Sequence, residues 1–264
     1  MAGRAPLTDV HVQCLANEAV LQFTQRTDKW ERARHPLHAD KPWKAGVGPG
    51  ISFANEVMAL LPEYTKGGIG LVPCAFGGSE VARWEPGGDL FTETVRRVKL
   101  CQAAMDGTQL AGLLWHQGEN DCGGDEETAA AYHSRLDRAL CALREAFEEP
   151  DLPLIVGEML YSLDQSDDDY VQASNINAAI VSAPSRLSSC ACVSAFGLSH
   201  IGDRLHFDAS SQEELGRRYA ASWCNIVASD EMQRPPRLAS TFCFPSPADL
   251  NEMDDERTMA AVRD

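Results

Sequence analysis

Three short stretches carry side chains whose types and spacing can do chemistry. Asp203 and His206 stand three residues apart in Gly202-Asp203-Arg204-Leu205-His206-Phe207-Asp208. In a turn, that spacing lets the carboxylate reach the imidazole Nδ1–H and fix its tautomer. A histidine so oriented is a general base for a hydroxyl nucleophile, although the D-x-x-H pattern also recurs with no catalytic role. In Gln117-Gly118-Glu119-Asn120-Asp121 the two amides donate hydrogen bonds and the two carboxylates accept them, and Gly118 permits a sharp turn. The same run also reads as a polar loop closing a strand. Gly77-Gly78-Ser79 lets backbone N–H groups converge on an anion, either a phosphate or a tetrahedral oxyanion. A tight turn explains these glycines equally well, and a phosphate site would want a GxGxxG or a Walker lysine that the chain lacks. Metal binding needs third and fourth ligands, and the spacing of His200 and the cysteines supplies none. No cofactor and no metal are expected.

These stretches need elements to position them. Leu110 to Trp115 is an apolar run that reads as a buried strand delivering Gln117 at its C-terminal end. Ile69 to Cys74 reads as another, feeding Gly77-Gly78-Ser79, and Leu152 to Val156 and Cys190 to Ala195 follow. Between them the pattern predicts helices over 51–61, with Ser52 as cap, and over 91–105. Asp125 to Phe147 places Tyr132, Leu136, Leu140, Leu143 and Phe147 on one stripe, and a helix over 170–183 turns Ile176 and Ile180 inward. The capping box Ser211-x-x-Glu214 opens a last helix carrying Leu215, Tyr219, Trp223 and Ile226. Residues 1–50 read as a long packed loop, and the proline-rich, charged stretch 229–264 as a loosely attached tail behind a domain spanning 1–228. Alternating strands and helices with short connections predict an open, parallel, three-layer α/β domain. The loops at Gly78, Gln117 and His206 should meet at one sheet edge.

Composition narrows the classes. With 264 residues and 44% hydrophobic content the chain is globular. A net charge of −16 disfavours nucleic acid and anionic membrane surfaces as partners, because both select clustered Lys and Arg. No apolar run is long enough to cross a bilayer, and the first residues lack the apolar core of a signal peptide. Nine scattered cysteines without CxxC spacing suggest a reducing compartment; the location itself stays unknown from the sequence, with a cytoplasmic one favoured by the missing signal-peptide core.

In order and wording the three loops resemble the SGNH-type carbohydrate esterases, in the sialate O-acetylesterase-like and acetylxylan esterase group. The matching segments are Gly48 to Ala54, Gly70 to Ser79, Trp115 to Asp121 and Asp203 to Asp208, with Arg32 to Asp40 similar to the family's early loop. The resemblance covers residues 1 to about 224 and implies a flavodoxin-like three-layer sandwich that removes acetyl groups from sugars without a metal. It implies that Asp203 and His206 are the acid and base of a triad. It implies oxyanion donors at Gly78 and Gln117, and substrate or loop support from Glu119, Asn120, Ser79 and Trp84. Trp84 is expected either to stack on a sugar ring or to serve the core or a lid, and His116 to be structural. In the family the nucleophilic serine lies in a Gly-Gln-Ser-Asn segment on a first, central strand. That segment would precede Met1 here, so the nucleophile and first strand are expected to be absent from the chain as written. Ser79 is disfavoured as a substitute, because a nucleophile must sit on the histidine side of the oxyanion pocket. The implied activity is ester hydrolysis through a serine acyl-enzyme. A non-catalytic glycan-binding protein of the same fold, or an α/β module using Gly77-Gly78 for a phosphorylated ligand, are the other classes.

Overall fold

Apolar runs bounded by turn residues become short strands, and the 3.6-residue stripes become the helices that cover them. The computed structural model describes residues 2–7, 16–165 and 170–233. β1 (Val20–Phe23) and β2 (Trp30–Arg32) form an antiparallel pair, and β3 (Ile69–Leu71) runs parallel to β1, giving a three-stranded sheet in the order β2-β1-β3. β4 (Leu113–Trp115), β5 (Leu154–Gly157) and β6 (Cys190–Val193) form a second, all-parallel sheet in that order. Among the described residues no ladder joins β3 to β4. Residues 2–7 contribute one isolated bridge, Ala5 to Val47, rather than a strand.

Five α-helices occur among the described residues. α1 (Gly50–Leu60) lies against α5 (Ala209–Gln233), which also covers β5 and β6. Their closeness depends on Gly216, where a β-carbon would meet Ser52 Oγ and the Pro49 carbonyl. α3 (Glu126–Ala146) packs against both α2 (Asp89–Ala103) and α4 (Ala173–Val181), and α4 also covers β5. β5 is buried at all four positions, as a strand with covered faces must be. On α3 the expected stripe is buried at Tyr132, Leu136, Leu140 and Leu143, while Phe147 is the C-cap and half-buried.

The structure corrects three local readings. Residues 1–50 are not all loop, because β1 and β2 make a hairpin whose second strand is polar and half-exposed. Ser52 does not cap α1; it lies inside the helix and donates to the Pro49 carbonyl. α5 begins two residues before the expected capping box, with Asp208 Oδ1 accepting from the Ser211 N–H, while Ser211 Oγ accepts from Ser199 N–H. α5 also runs on to Gln233, past the expected start of the tail, and residues 234–264 lie outside the described residues.

Candidate active site

All three chemical stretches lie where strands end. The segment after β3 reaches Gly77-Gly78-Ser79, that after β4 holds Gln117 to Asp121, and that after β6 runs through Asp203 and His206 to α5. Direct contacts tie them together. Gln117 Nε2 donates to the Ser79 carbonyl at 2.9 Å, joining the first two loops. The ring of His116 packs edge-on against Phe207, centroids 5.5 Å apart, joining the second to the third.

The third loop builds the Asp–His pair its spacing predicted. Asp203 Oδ2 and His206 Nδ1 are 2.6 Å apart, while Oδ1 accepts the backbone N–H groups of Leu205 and His206 at 3.0 and 2.9 Å. Partial burial pushes the Asp203 carboxyl up, but those N–H groups and the imidazole outweigh it and hold the carboxyl below its usual range. An ionised carboxylate on Nδ1 leaves Nε2 as the basic nitrogen. Among the described residues nothing hydrogen-bonds to that nitrogen, and the side chain is 35% exposed. His200 serves the same loop: its Nδ1 accepts from Gly202 N–H and Arg204 N–H at 2.9 and 3.2 Å, so it is spent as a brace.

The first loop turns at Gly78, whose φ of 72° is the left-handed conformation that favours glycine. The position of a β-carbon there lies 3.3 Å from the Lys41 ammonium and 3.9 Å from Asn120 Oδ1, so a cation and a carboxamide flank the turn. The loop is anchored by Asp40, whose Oδ2 accepts from Gly77 N–H at 2.8 Å and from Arg4 Nη2 at 2.6 Å. Those two side chains are 1% and 8% exposed, a buried ion pair that ties residues 2–7 to the turn. Burial opposes ionisation of Asp40, and Arg4 with the Gly77 N–H reverses it, holding the carboxyl below its usual range. Ser79 is 5% exposed, with its hydroxyl donating to the Phe76 carbonyl at 2.7 Å and accepting from Trp84 Nε1 at 3.2 Å. Trp84 itself is 6% exposed and packs edge-on against Trp115, so of its two expected roles the structure gives it the core one.

The second loop is a buried polar node. Gln117 Nε2 donates to the Ser79 carbonyl and, at 2.5 Å, to Asp121 Oδ2, while its Oε1 accepts from the Tyr132 hydroxyl at 3.1 Å. Both amide protons of Gln117 are therefore engaged, and donating to a substrate oxygen would require releasing one of them. Asp121 also accepts from Val81 N–H at 3.0 Å, and its burial raises its pKa to about 6 despite these donors. Behind Gln117, the Tyr219 hydroxyl donates to the Trp115 carbonyl at 2.7 Å and stands 3.1 Å from His116 Nδ1. Burial lowers the His116 pKa far below the ordinary value, so it stays neutral, donates from Nδ1 and supports the loop as expected. Glu119 Oε1 lies 3.9 Å from His116 Nε2, and its side chain is one-quarter exposed.

The sequence reading did not single out Lys41, and it quoted Asp40 only as part of an early loop. Their signal was weak, because each reaches the Gly77-Gly78 turn from more than thirty residues away. Three of the described thiols are kept from acting as nucleophiles. Burial raises Cys101 and Cys190 to about 11 and Cys192 to about 12, which keeps them protonated at neutral pH.

The family described as carbohydrate esterase, sialic acid-specific acetylesterase, matches residues 1–225. A protein of Arabidopsis thaliana named as a probable carbohydrate esterase is 33% identical over 218 residues, covering 80% of this chain and 78% of its own. An X-ray structure from Arabidopsis thaliana superposes with a TM-score of 0.72 at 32% identity, over 85% of this chain and 93% of that one. A carbohydrate acetylesterase from Xanthomonas citri shares the fold at a TM-score of 0.58 and 12% identity, over 86% of this chain and 53% of that one. The chain belongs to the carbohydrate esterase family of the sialic acid-specific acetylesterase type.

Proposed function

We propose that the protein is a carbohydrate O-acetylesterase working through a serine acyl-enzyme. The observation that carries the reading is the Asp203–His206 pair, closed at 2.6 Å, whose Nε2 has no hydrogen-bond partner among the described residues. The hydroxyl is supplied by a segment preceding Met1, on a strand that lies between β3 and β4 and completes a flavodoxin-like three-layer sandwich. In support of that placement, no ladder joins β3 to β4 among the described residues. His206 takes the hydroxyl proton as the oxygen attacks the acetyl carbonyl, and returns it to the departing sugar oxygen. A water then attacks the acetyl-enzyme with its proton going to His206, which passes it to the serine oxygen as acetate leaves. Asp203 orients the imidazole and offsets its charge. The oxyanion is held by the Gly78 N–H and the serine's own N–H. Gln117 contributes either a donated proton or, through its grip on Ser79, a fixed backbone. Each such donor is worth about 2.7–4 kcal/mol in the transition state. Ser79 is not the nucleophile, since its hydroxyl is buried and committed to Phe76 and Trp84.

The test is acetate release from p-nitrophenyl acetate and acetylated xylan. A chain extended by the serine-bearing segment should hydrolyse both, with His206→Ala losing nearly all activity. The 264-residue chain should be almost inactive. Full activity in the extended His206→Ala protein would remove the mechanism.

A further inference from the structure

Two aromatic rings stand in solvent beside the Asp203–His206 loop. Phe196 is 77% exposed and Tyr161 46%, with centroids 6.4 Å apart and planes at 78°, so the rings form a corner. Two adjoining exposed rings make a contiguous apolar patch, the kind of surface that marks an interaction site.

The rings are held in place. Glu158 is 7% exposed, and its Oε2 accepts from the Tyr161 hydroxyl, the Ser194 hydroxyl and the Ala195 N–H, each at 2.8 Å. Arg218 Nη1 clamps the same segment from α5 by donating to the Ser194 and Phe196 carbonyls at 2.8 and 3.0 Å. Next to Tyr161, Ser162 Oγ donates to the Arg204 carbonyl at 3.0 Å, inside the D-x-x-H turn. A buried carboxylate, a guanidinium and a hydroxyl thus fix the corner to the candidate catalytic loop. Around it the surface is open: β-carbons at Gly197 and Gly202 would meet nothing within 4 Å.

We propose that Tyr161 and Phe196 form a stacking subsite for a pyranose ring adjacent to the acetylated unit. The substrate is then an oligosaccharide or polysaccharide rather than a free monosaccharide. This rests on the esterase reading for its acetylated unit. Two rings suit a sugar, whose C–H face covers an aromatic plane while its hydroxyls stay in water. A stable protein partner would bury about 800 Å² of surface per side, far more than two rings present. A nucleobase could stack as well, but its phosphates would meet a chain of net charge −16. Trp84, the aromatic first considered for stacking, is buried and cannot take this role.

The test is calorimetric binding of xylohexaose, mannohexaose and sialyllactose. None carries an ester, so none is consumed. The protein should bind at least one of them more tightly than its component monosaccharide. Phe196→Ala should weaken that binding about tenfold at an unchanged melting temperature, and Tyr161→Leu should act in the same direction. The gap between oligosaccharide and monosaccharide affinity should shrink with it. If no oligosaccharide binds, or if Phe196→Ala and Tyr161→Leu bind as the native chain does, the subsite is refuted. Normal acetate release with unaltered oligosaccharide binding in both variants would overturn the subsite and leave the esterase. Ring-dependent binding with no acetate release from the extended chain would do the reverse.

Discussion

Asp121 gives the loop node a measurable pH signature. Its carboxylate is 6% exposed and accepts from Gln117 and Val81, yet burial lifts its pKa from 3.8 to about 6. A group whose folded pKa is raised binds more protons in the folded state, so its contribution to stability falls as pH rises between the two values. Above about pH 6 the ionised form carries the full penalty, which for this rise is about 3 kcal/mol. Asp121→Asn removes the charge and keeps an oxygen where Oδ2 accepts both donors. The lost charge-assisted bond and the amide facing Val81 cost roughly 1 kcal/mol, independent of pH. Stability of the native chain relative to Asp121→Asn should therefore fall by up to about 3 kcal/mol from pH 4 to pH 7. At about 2–4 °C per kcal/mol this is a change of roughly 6–12 °C in the difference of melting temperatures. The difference matters because Asp40, Asp203 and Asp208 have lowered pKa values and push the raw pH curve the other way. Thermal melts of both proteins at half-unit pH steps decide it. A flat difference, or one that grows toward acid in favour of Asp121→Asn, would refute the claim that burial dominates at this carboxylate.

Other sites give simpler expectations. Asp40→Ala leaves the Arg4 guanidinium buried without its partner and the Gly77 N–H without an acceptor, and should cost about 3–5 kcal/mol in urea unfolding. A loss under 1 kcal/mol would show that residues 2–7 are not held through this pair. Gly157→Ala should fold poorly, because its β-carbon would overlap the Tyr219 hydroxyl and stand 2.8 Å from His116 Nδ1. Native-like near-ultraviolet circular dichroism and melting in that variant would contradict the packing. A chain extended by the strand that fits between β3 and β4 should melt cooperatively and at a higher temperature than the 264-residue chain, since paired edges replace exposed ones. Equal melting temperatures would argue against a strand in that gap.

Legibility in the sequence followed the range of the interactions. The Asp203–His206 pair was readable because every bond that forms it spans three residues or fewer. The long helix over Glu126–Ala146 was readable for the same reason, its stripe and its Asp125 cap being local. β2 was missed because Trp-Glu-Arg does not alternate and is paired on one side only. The start of α5 was misplaced because Asp208 and Ser211 are both good capping residues, and contacts to Ser199 decide between them. The commitment of Gln117 was hidden, since the direction of its amide depends on Ser79, thirty-eight residues away. Exposure was hidden too: nothing in the residue types says that Trp84 is buried while Phe196 stands in water.

The central claim is that His206 activates a serine hydroxyl carried on a strand before Met1. A fluorophosphonate reagent tests it directly, because it labels only activated hydroxyls and its adduct is placed by peptide mass mapping. The extended chain should carry one adduct, on the serine preceding Met1, with Ser79 unlabelled, and His206→Ala should prevent labelling. An adduct on Ser79, or labelling undiminished in His206→Ala, would contradict the account.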